Sequence, residues 1–140
     1  MNTNNLNRYL NVLDKACEEL NIPKNQVIIS HGGATLIWGI RSETNDIDVS
    51  IPENIFSSVV VEKEIIHRPA LNQETAVRSW VYENEIGEVD YHCHKEDTND
   101  KELVEYAGFM VTSIKQTQID YLKLNRDKDQ AAIKALGKML

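Results

Sequence analysis

Hydrophobic positions near the start of the chain recur at helical spacing. The intervals of three and four residues predict an amphipathic helix over 6–20. The apolar positions of this stretch are Leu6, Leu10, Leu13, Cys17 and Leu20. Two more helices are predicted at the other end of the chain, over about 113–125 and 127–139.

Strict alternation of polar and apolar residues marks two other segments. Residues 45–51 and 88–94 alternate with period two, which predicts strands with one buried face. In the second segment the core face holds Val89, Tyr91 and Cys93. The polar face holds Glu88, Asp90, His92 and His94.

Shorter runs of β-branched and aromatic residues predict further strands, over 26–30, 58–67, 76–83 and 109–112. Residues 95–105 are polar enough to predict a loop. This order of elements predicts an α+β fold, with a mixed β-sheet flanked by helices and a helical C-terminus. We expect a single domain over 1–140, with the helical tail 114–140 packed on it.

The length and composition are those of a globular protein. The chain has 140 residues, of which 41% are hydrophobic and 26% are charged. No apolar run approaches the roughly 20 residues that cross a bilayer, and the first residues are polar. These features predict a cytoplasmic protein with no membrane partner. Two distant cysteines, Cys17 and Cys93, predict free buried thiols.

The net charge of −7 argues against a general nucleic-acid coat protein, because phosphate binding favours an excess of Lys and Arg. The tail differs from the rest of the chain, since residues 114–140 hold six basic and three acidic side chains. This tail could meet phosphates, but on charge alone a solvated amphipathic helix explains it better.

A glycine pair and a pair of aspartates carry the chemistry. Gly32 and Gly33 follow a predicted strand, and a backbone without Cβ atoms can approach an anion such as a phosphate. Twelve residues separate this pair from Asp46, and Asp48 follows at i+2, on the same side of the predicted strand. Two adjacent carboxylates repel each other unless a cation lies between them, and Mg²⁺ prefers such oxygen ligands.

Together these residues resemble the nucleotidyltransferases of the DNA polymerase beta superfamily. That family has a glycine pair, a short spacer, a D-x-D pair on a strand and a third carboxylate on a neighbouring strand. The resemblance implies that Asp90 is the third carboxylate, with Glu88 as the alternative. It covers residues 26–51, 86–94 and 114–136. The polar His31 before the glycines departs from the family pattern.

The pattern is most similar to the small abortive-infection-type and antibiotic-modifying nucleotidyltransferases. In those proteins an arginine and then a Thr or His precede the D-x-D pair, and a lysine lies in the C-terminal helical segment. The nucleotide contacts predicted on this basis are Gly32, Gly33, Thr35, Arg41, Thr44 and Lys123. Arg126 and Lys128 could also meet the triphosphate, although each is more simply a solvated charge.

The resemblance implies an enzyme in which Asp46, Asp48 and Asp90 hold two Mg²⁺ ions. It would transfer a nucleoside monophosphate from a nucleoside triphosphate, such as ATP, to a hydroxyl. The acceptor would be an RNA end, a small molecule or a protein side chain. A dimer mate or a protein partner could complete its surface. The alternative is a non-catalytic binding or regulatory module on the same fold, such as a toxin–antitoxin component.

A zinc site in the His92-Cys93-His94 stretch is not expected. On a strand Cys93 points away from both histidines, which leaves two of the four ligands that zinc prefers. His92 and His94 share the face of Asp90. They could line the nucleotide pocket or act on the acceptor hydroxyl, but a polar, solvent-facing edge is the simpler interpretation.

Overall fold

The computed structural model describes residues 5–42, 44, 46–63, 66–68, 79–94 and 101–140. Within these residues the chain forms five helices and seven strands. The helices are α1 (Leu6–Leu20), α2 (His31–Ile37), α3 (Glu53–Lys63), α4 (Ile114–Leu124) and α5 (Gln130–Met139). The strands are β1 (Ile28–Ile29), β2 (Asp48–Pro52), β3 (Ile66–Arg68), β4 (Ser79–Glu83), β5 (Glu88–His94), β6 (Leu103–Tyr106) and β7 (Phe109–Thr112).

The strands form one mixed sheet in the order β3-β4-β5-β2-β1-β7-β6. β2 pairs in parallel with β5, and β1 pairs in parallel with β7. The remaining neighbours are antiparallel. This mixed sheet with helices and a helical C-terminus confirms the predicted fold class.

Helix α1 packs its apolar face into the hydrophobic core. Asn5 caps this helix by accepting a hydrogen bond from the backbone N–H of Arg8 at 2.9 Å, and Asn21 ends it in the left-handed conformation. The predicted helix 6–20 is therefore confirmed. Cys17 and Cys93 are both buried and do not form a disulfide, as predicted.

The predicted strand over 58–67 is wrong for its first part, because residues 53–63 form helix α3. Phe56 and Val59 lie one helical turn apart and are both buried, and α3 contacts β2 and β5. Packing against the sheet thus overrides the strand preference of the β-branched residues. Of the predicted segment, residues 66–67 belong to strand β3, and 64–65 lie outside the described residues. Of the predicted strand 76–83, the part over 76–78 lies outside the described residues.

The predicted loop over 95–105 is also wrong at its end, because β6 begins at Leu103. This strand lies at the edge of the sheet, and its residues are exposed or half-buried, so they show no alternation with one buried face. Ala107 and Gly108, both with positive φ, connect it to β7 as a two-residue hairpin turn. The rest of that loop, 95–100, is outside the described residues.

The helical tail begins at a side-chain cap, where Ser113 Oγ accepts from the backbone N–H of Gln116 at 3.0 Å. From there α4 contacts α2, β7 and α5, so the tail lies beside the segment that carries the glycine pair. Among the helices that the structure describes, none combines the length and the apolar character that a membrane span requires.

Candidate metal centre

Two aspartates face each other across the centre of the sheet. In the parallel pairing of β2 with β5, Asp48 lies directly opposite Asp90. The next residues, Val49 and Tyr91, are buried, which turns the two aspartates to the opposite face. Their side chains are 56% and 28% exposed, respectively, so solvent reaches both residues, although Oδ1 of Asp90 is itself buried. The pairing places two like charges at one position of the sheet.

His92 joins this pair because it lies two residues after Asp90 on the same strand. Its Nε2 is 3.4 Å from Asp48 Oδ1 and 3.8 Å from Asp90 Oδ1. Each of the three side chains offers one ligand atom within 4.8 Å of the others. The hydrogen bond to Asp48 raises the pKa of His92 above its usual value, more than burial lowers it. We call this set of three side chains the acidic–histidine cluster.

Asp46 is placed differently from the prediction. The strand begins at Asp48 rather than at 45, so Asp46 precedes it and lies exposed. The backbone carbonyl of Asp46 accepts a hydrogen bond from Thr44 Oγ1 at 3.4 Å. Its carboxylate is not part of the acidic–histidine cluster. A role for Asp46 as a metal ligand stays a prediction.

The glycine pair belongs to the first turn of α2 and not to a turn before the helix. A Cβ on Gly33 would overlap the hydroxyl of Tyr9 and lie 2.6 Å from Ile29 Cγ2, so close packing requires glycine there. A Cβ on Gly32 would lie 3.4 Å from Thr44 Oγ1. Gly33 therefore has a packing role, while Gly32 faces the segment that leads to the aspartates.

The other predicted nucleotide contacts are spread over two elements. Thr35 is fully buried and donates its hydroxyl to the carbonyl of Gly32 at 2.8 Å, which stabilises the first turn of α2. Arg41 is exposed just after this helix, and Lys123 is exposed in the last turn of α4. Contacts of these side chains with a nucleotide stay predictions.

The structure gives a reason for the polar residue before the glycines. His31 has a positive φ of 51°, and its ring packs edge-on against Tyr121 of α4, with centroids 5.5 Å apart. Its Nδ1 lies 3.1 Å from Ser30 Oγ. Burial lowers the pKa of His31, although Asp120 opposes the shift. His31 is therefore a neutral packing residue between α2 and α4, a role that the sequence did not reveal.

The tail holds two buried carboxylates with cationic partners. Arg126 donates to both oxygens of Asp129, at 2.7 and 3.0 Å, in a bidentate pair. Lys101 Nζ lies 3.3 Å from Asp120 Oδ1, which also accepts from Gln116 at 3.0 Å. Arg126, a candidate triphosphate contact in the sequence, is thus engaged in holding the tail together.

Comparison with solved structures identifies proteins of similar fold. Over 96% of this chain and 95% of the other, the structure is similar to a candidate nucleotidyltransferase from Thermotoga maritima, with a TM-score of 0.63 and 19% identity. The chain has a nucleotidyltransferase-like fold. An antigenic nucleotidyltransferase-like protein from Paracoccidioides brasiliensis is similar over 94% of this chain and 74% of that one, with a TM-score of 0.51 and 13% identity.

At these identities the likeness shows the fold and not the activity. No family model matches the chain, and no curated protein matches its sequence. The acidic–histidine cluster therefore carries the functional argument.

Proposed function

We propose that this nucleotidyltransferase-like chain transfers a nucleoside monophosphate from a nucleoside triphosphate to a hydroxyl acceptor, with a divalent metal ion. The observation that carries the proposal is the register of β2 and β5, which sets Asp48 opposite Asp90. Like charges directly opposite each other destabilise a sheet, and a bound cation removes that cost. A scaffold without a ligand has no need of this arrangement.

The side chains of the cluster fit a divalent metal ion. Asp48 and Asp90 supply oxygen ligands, the cluster opens to solvent, and its ligand atoms already converge. When bound, such an ion neutralises phosphate charge and polarises the phosphorus–oxygen bonds. Asp48 and Asp90 would hold it, and Asp46 would extend the carboxylate set from the exposed segment before β2.

Other residues of the chain would bind the donor. Gly32 lies in the first turn of α2, and its backbone without a Cβ would approach a phosphate of the donor. Lys123 is an exposed cation without an ion pair among the described residues, and it would balance the charge of the triphosphate. Arg126 is already paired with Asp129, so it is left out of the proposed donor contacts.

The reaction is a displacement at the α-phosphorus. The acceptor oxygen forms a bond to this phosphorus, the bond to the bridging oxygen of the β-phosphate breaks, and pyrophosphate leaves. One carboxylate of the site takes the proton of the acceptor hydroxyl. The Arg41 and Thr44 spacing supports kinship with the abortive-infection and antibiotic-modifying types. The acceptor would be an RNA end, a small molecule or a protein side chain.

Calorimetry tests the nucleotide site. Each of the four ribonucleoside triphosphates is titrated into the protein with Mg²⁺, with Mn²⁺ and with EDTA. We expect metal-dependent binding of at least one triphosphate and its loss in Asp48→Asn/Asp90→Asn. Glu88→Gln is the matched control, because Glu88 lies on the same face of β5 but outside the cluster.

Absence of binding by every triphosphate would overturn the proposal. Equal loss of binding in the Glu88→Gln control would also contradict it, since a general charge effect would then replace a specific site. Unchanged binding in the double variant would place the nucleotide elsewhere on the chain. A binding result in line with the expectation justifies a search for the acceptor with an α-labelled triphosphate, followed by release of pyrophosphate.

A further inference from the structure

We propose that His92 is a metal ligand together with Asp48 and Asp90, so that this site takes a first-row transition metal ion such as Mn²⁺ in preference to Mg²⁺. The inference rests on the proposed function, because it assigns the metal of that same site. It departs from the sequence prediction, in which three carboxylates hold Mg²⁺ and His92 is a pocket or surface residue.

The distances in the cluster favour a shared ion. Ligand atoms about 2.1 Å from one metal in octahedral geometry lie about 3 Å from each other. His92 Nε2 is 3.4 Å from Asp48 Oδ1 and 3.8 Å from Asp90 Oδ1. A shortening of less than about 1 Å in each of these two distances, within the reach of side-chain rotation, brings the histidine nitrogen to that spacing from both carboxylates, whose ligand atoms lie within 4.8 Å of each other.

The backbone holds His92 in this position. β5 is an interior strand. Its His92 is paired with Ser50 of β2 on one side and with Ser79 of β4 on the other. Because side chains alternate along a strand, the residues two apart on β5 share one face. Cys93, the next residue along β5, is buried on the other face. His92 is therefore aimed at the carboxylates by the sheet itself and not by a mobile loop.

The chemistry of the donor set decides the choice of metal. Mg²⁺ is bound mainly by oxygen ligands, whereas imidazole nitrogen suits Zn²⁺, Fe²⁺ and Ni²⁺; Mn²⁺ lies between them, because it favours oxygen-rich octahedral sites but also accepts an imidazole ligand. A site of two carboxylates and one imidazole therefore gains affinity for a transition metal from its nitrogen ligand and gains little for Mg²⁺. Mn²⁺ keeps the octahedral preference that also accommodates phosphate oxygens.

Electron paramagnetic resonance on the full chain tests this assignment without relying on activity. Mn²⁺ is titrated into wild type, His92→Ala and the control Glu88→Gln, and Mg²⁺ is then used as the competitor. Pulsed measurements on the Mn²⁺-loaded proteins report nitrogen coupled to the metal. His92→Asp adds a third carboxylate in place of the imidazole. Circular dichroism confirms that each variant is folded.

We expect nitrogen coupling in wild type and Glu88→Gln and its loss in His92→Ala. The preference for Mn²⁺ over Mg²⁺ should fall at least about tenfold in both His92 variants, while His92→Asp keeps its affinity for Mg²⁺. Wild type without nitrogen coupling, an unchanged preference in His92→Ala, or no binding of Mn²⁺ would overturn the inference. Metal-dependent triphosphate binding alongside any of these results would leave the proposed transfer reaction standing and remove only His92 from the ligand set.

Discussion

Replacing Arg126 by methionine tests how the helical tail is held together. In the wild type, the guanidinium of Arg126 donates to both oxygens of Asp129, whose side chain is only 1% exposed. Methionine keeps the apolar stem but removes every donor. Asp129 would then be a buried carboxylate without its cation.

The structure sets the size of the effect. Removing one partner of a buried ion pair costs about 3–5 kcal/mol, because the other charge is left without compensation. The side chain of Arg126 is 43% exposed, so water can partly replace it. We therefore expect the lower end, a loss of about 3 kcal/mol in the free energy of unfolding at pH 7.

The loss should depend on pH in a defined direction. Burial alone would raise the pKa of Asp129, but hydrogen bonds and the charge of Arg126 outweigh it, so this pKa lies below its usual value. In wild type the pair therefore stabilises the fold above about pH 4 and loses this effect as the pH falls further. In Arg126→Met the guanidinium is gone, while burial still raises the pKa of Asp129 and only the backbone N–H of residue 126 and the charge of Lys128 lower it, so this pKa is higher than in wild type. The folded variant then takes up a proton at a higher pH than the wild type does, and its deficit shrinks as the pH falls.

Urea unfolding followed by circular dichroism measures both effects. With a slope of about 2 kcal/mol per molar urea, the midpoint at pH 7 should fall by about 1.5 M, and by clearly less at pH 4.5. Lys138→Met removes an exposed cation of the same tail and should shift the midpoint little. A loss below about 1 kcal/mol that is equal at both pH values would refute the reasoning for Asp129.

Three other predictions test separate parts of the account. Gly33→Ala should lower the free energy of unfolding by about 1–3 kcal/mol, because the added methyl group meets Tyr9 and Ile29. Gly32→Ala should lower it by less. Equal losses of stability in thermal unfolding of the two variants would contradict the packing role of Gly33. Tyr9→Phe should be neutral or stabilising, because the buried hydroxyl has no hydrogen-bond partner among the described residues. A loss above 1 kcal/mol would reveal a partner. Saturating Mn²⁺ should raise the melting temperature of wild type and not of Asp48→Asn, and an equal rise in both would separate metal binding from this site.

The alternation of residues on β5 predicted much of the site. It placed Asp90 and His92 on one face and Tyr91 on the other, and burial confirms this division for Tyr91. Periodicity also predicted the fold class and helix α1. These features depend on the spacing of apolar residues that are close together in the sequence, so they can be predicted from the sequence alone.

Features that depend on distant pairing could not be derived in the same way. The contact between His92 and Asp48 requires β2 and β5 to pair in parallel at one register, across 44 positions of the chain. Likewise, the β-branched run containing Val59 predicted a strand from its local composition. In the structure it forms a helix, because it packs against the sheet. From the sequence alone Arg126 was interpreted as a solvated cation. Its pairing with the buried Asp129 depends on how the tail folds, which the sequence pattern did not indicate.

The central claim is that Asp48 and Asp90 together hold a divalent metal ion that also meets a triphosphate. The most direct test is a crystal grown with Mn²⁺ and a non-hydrolysable nucleoside triphosphate, measured for anomalous scattering. The account predicts one anomalous peak within about 2.0–2.5 Å of an oxygen of each aspartate and of a phosphate oxygen. A triphosphate bound away from β2 and β5, or a crystal without a peak between the two aspartates, would contradict it.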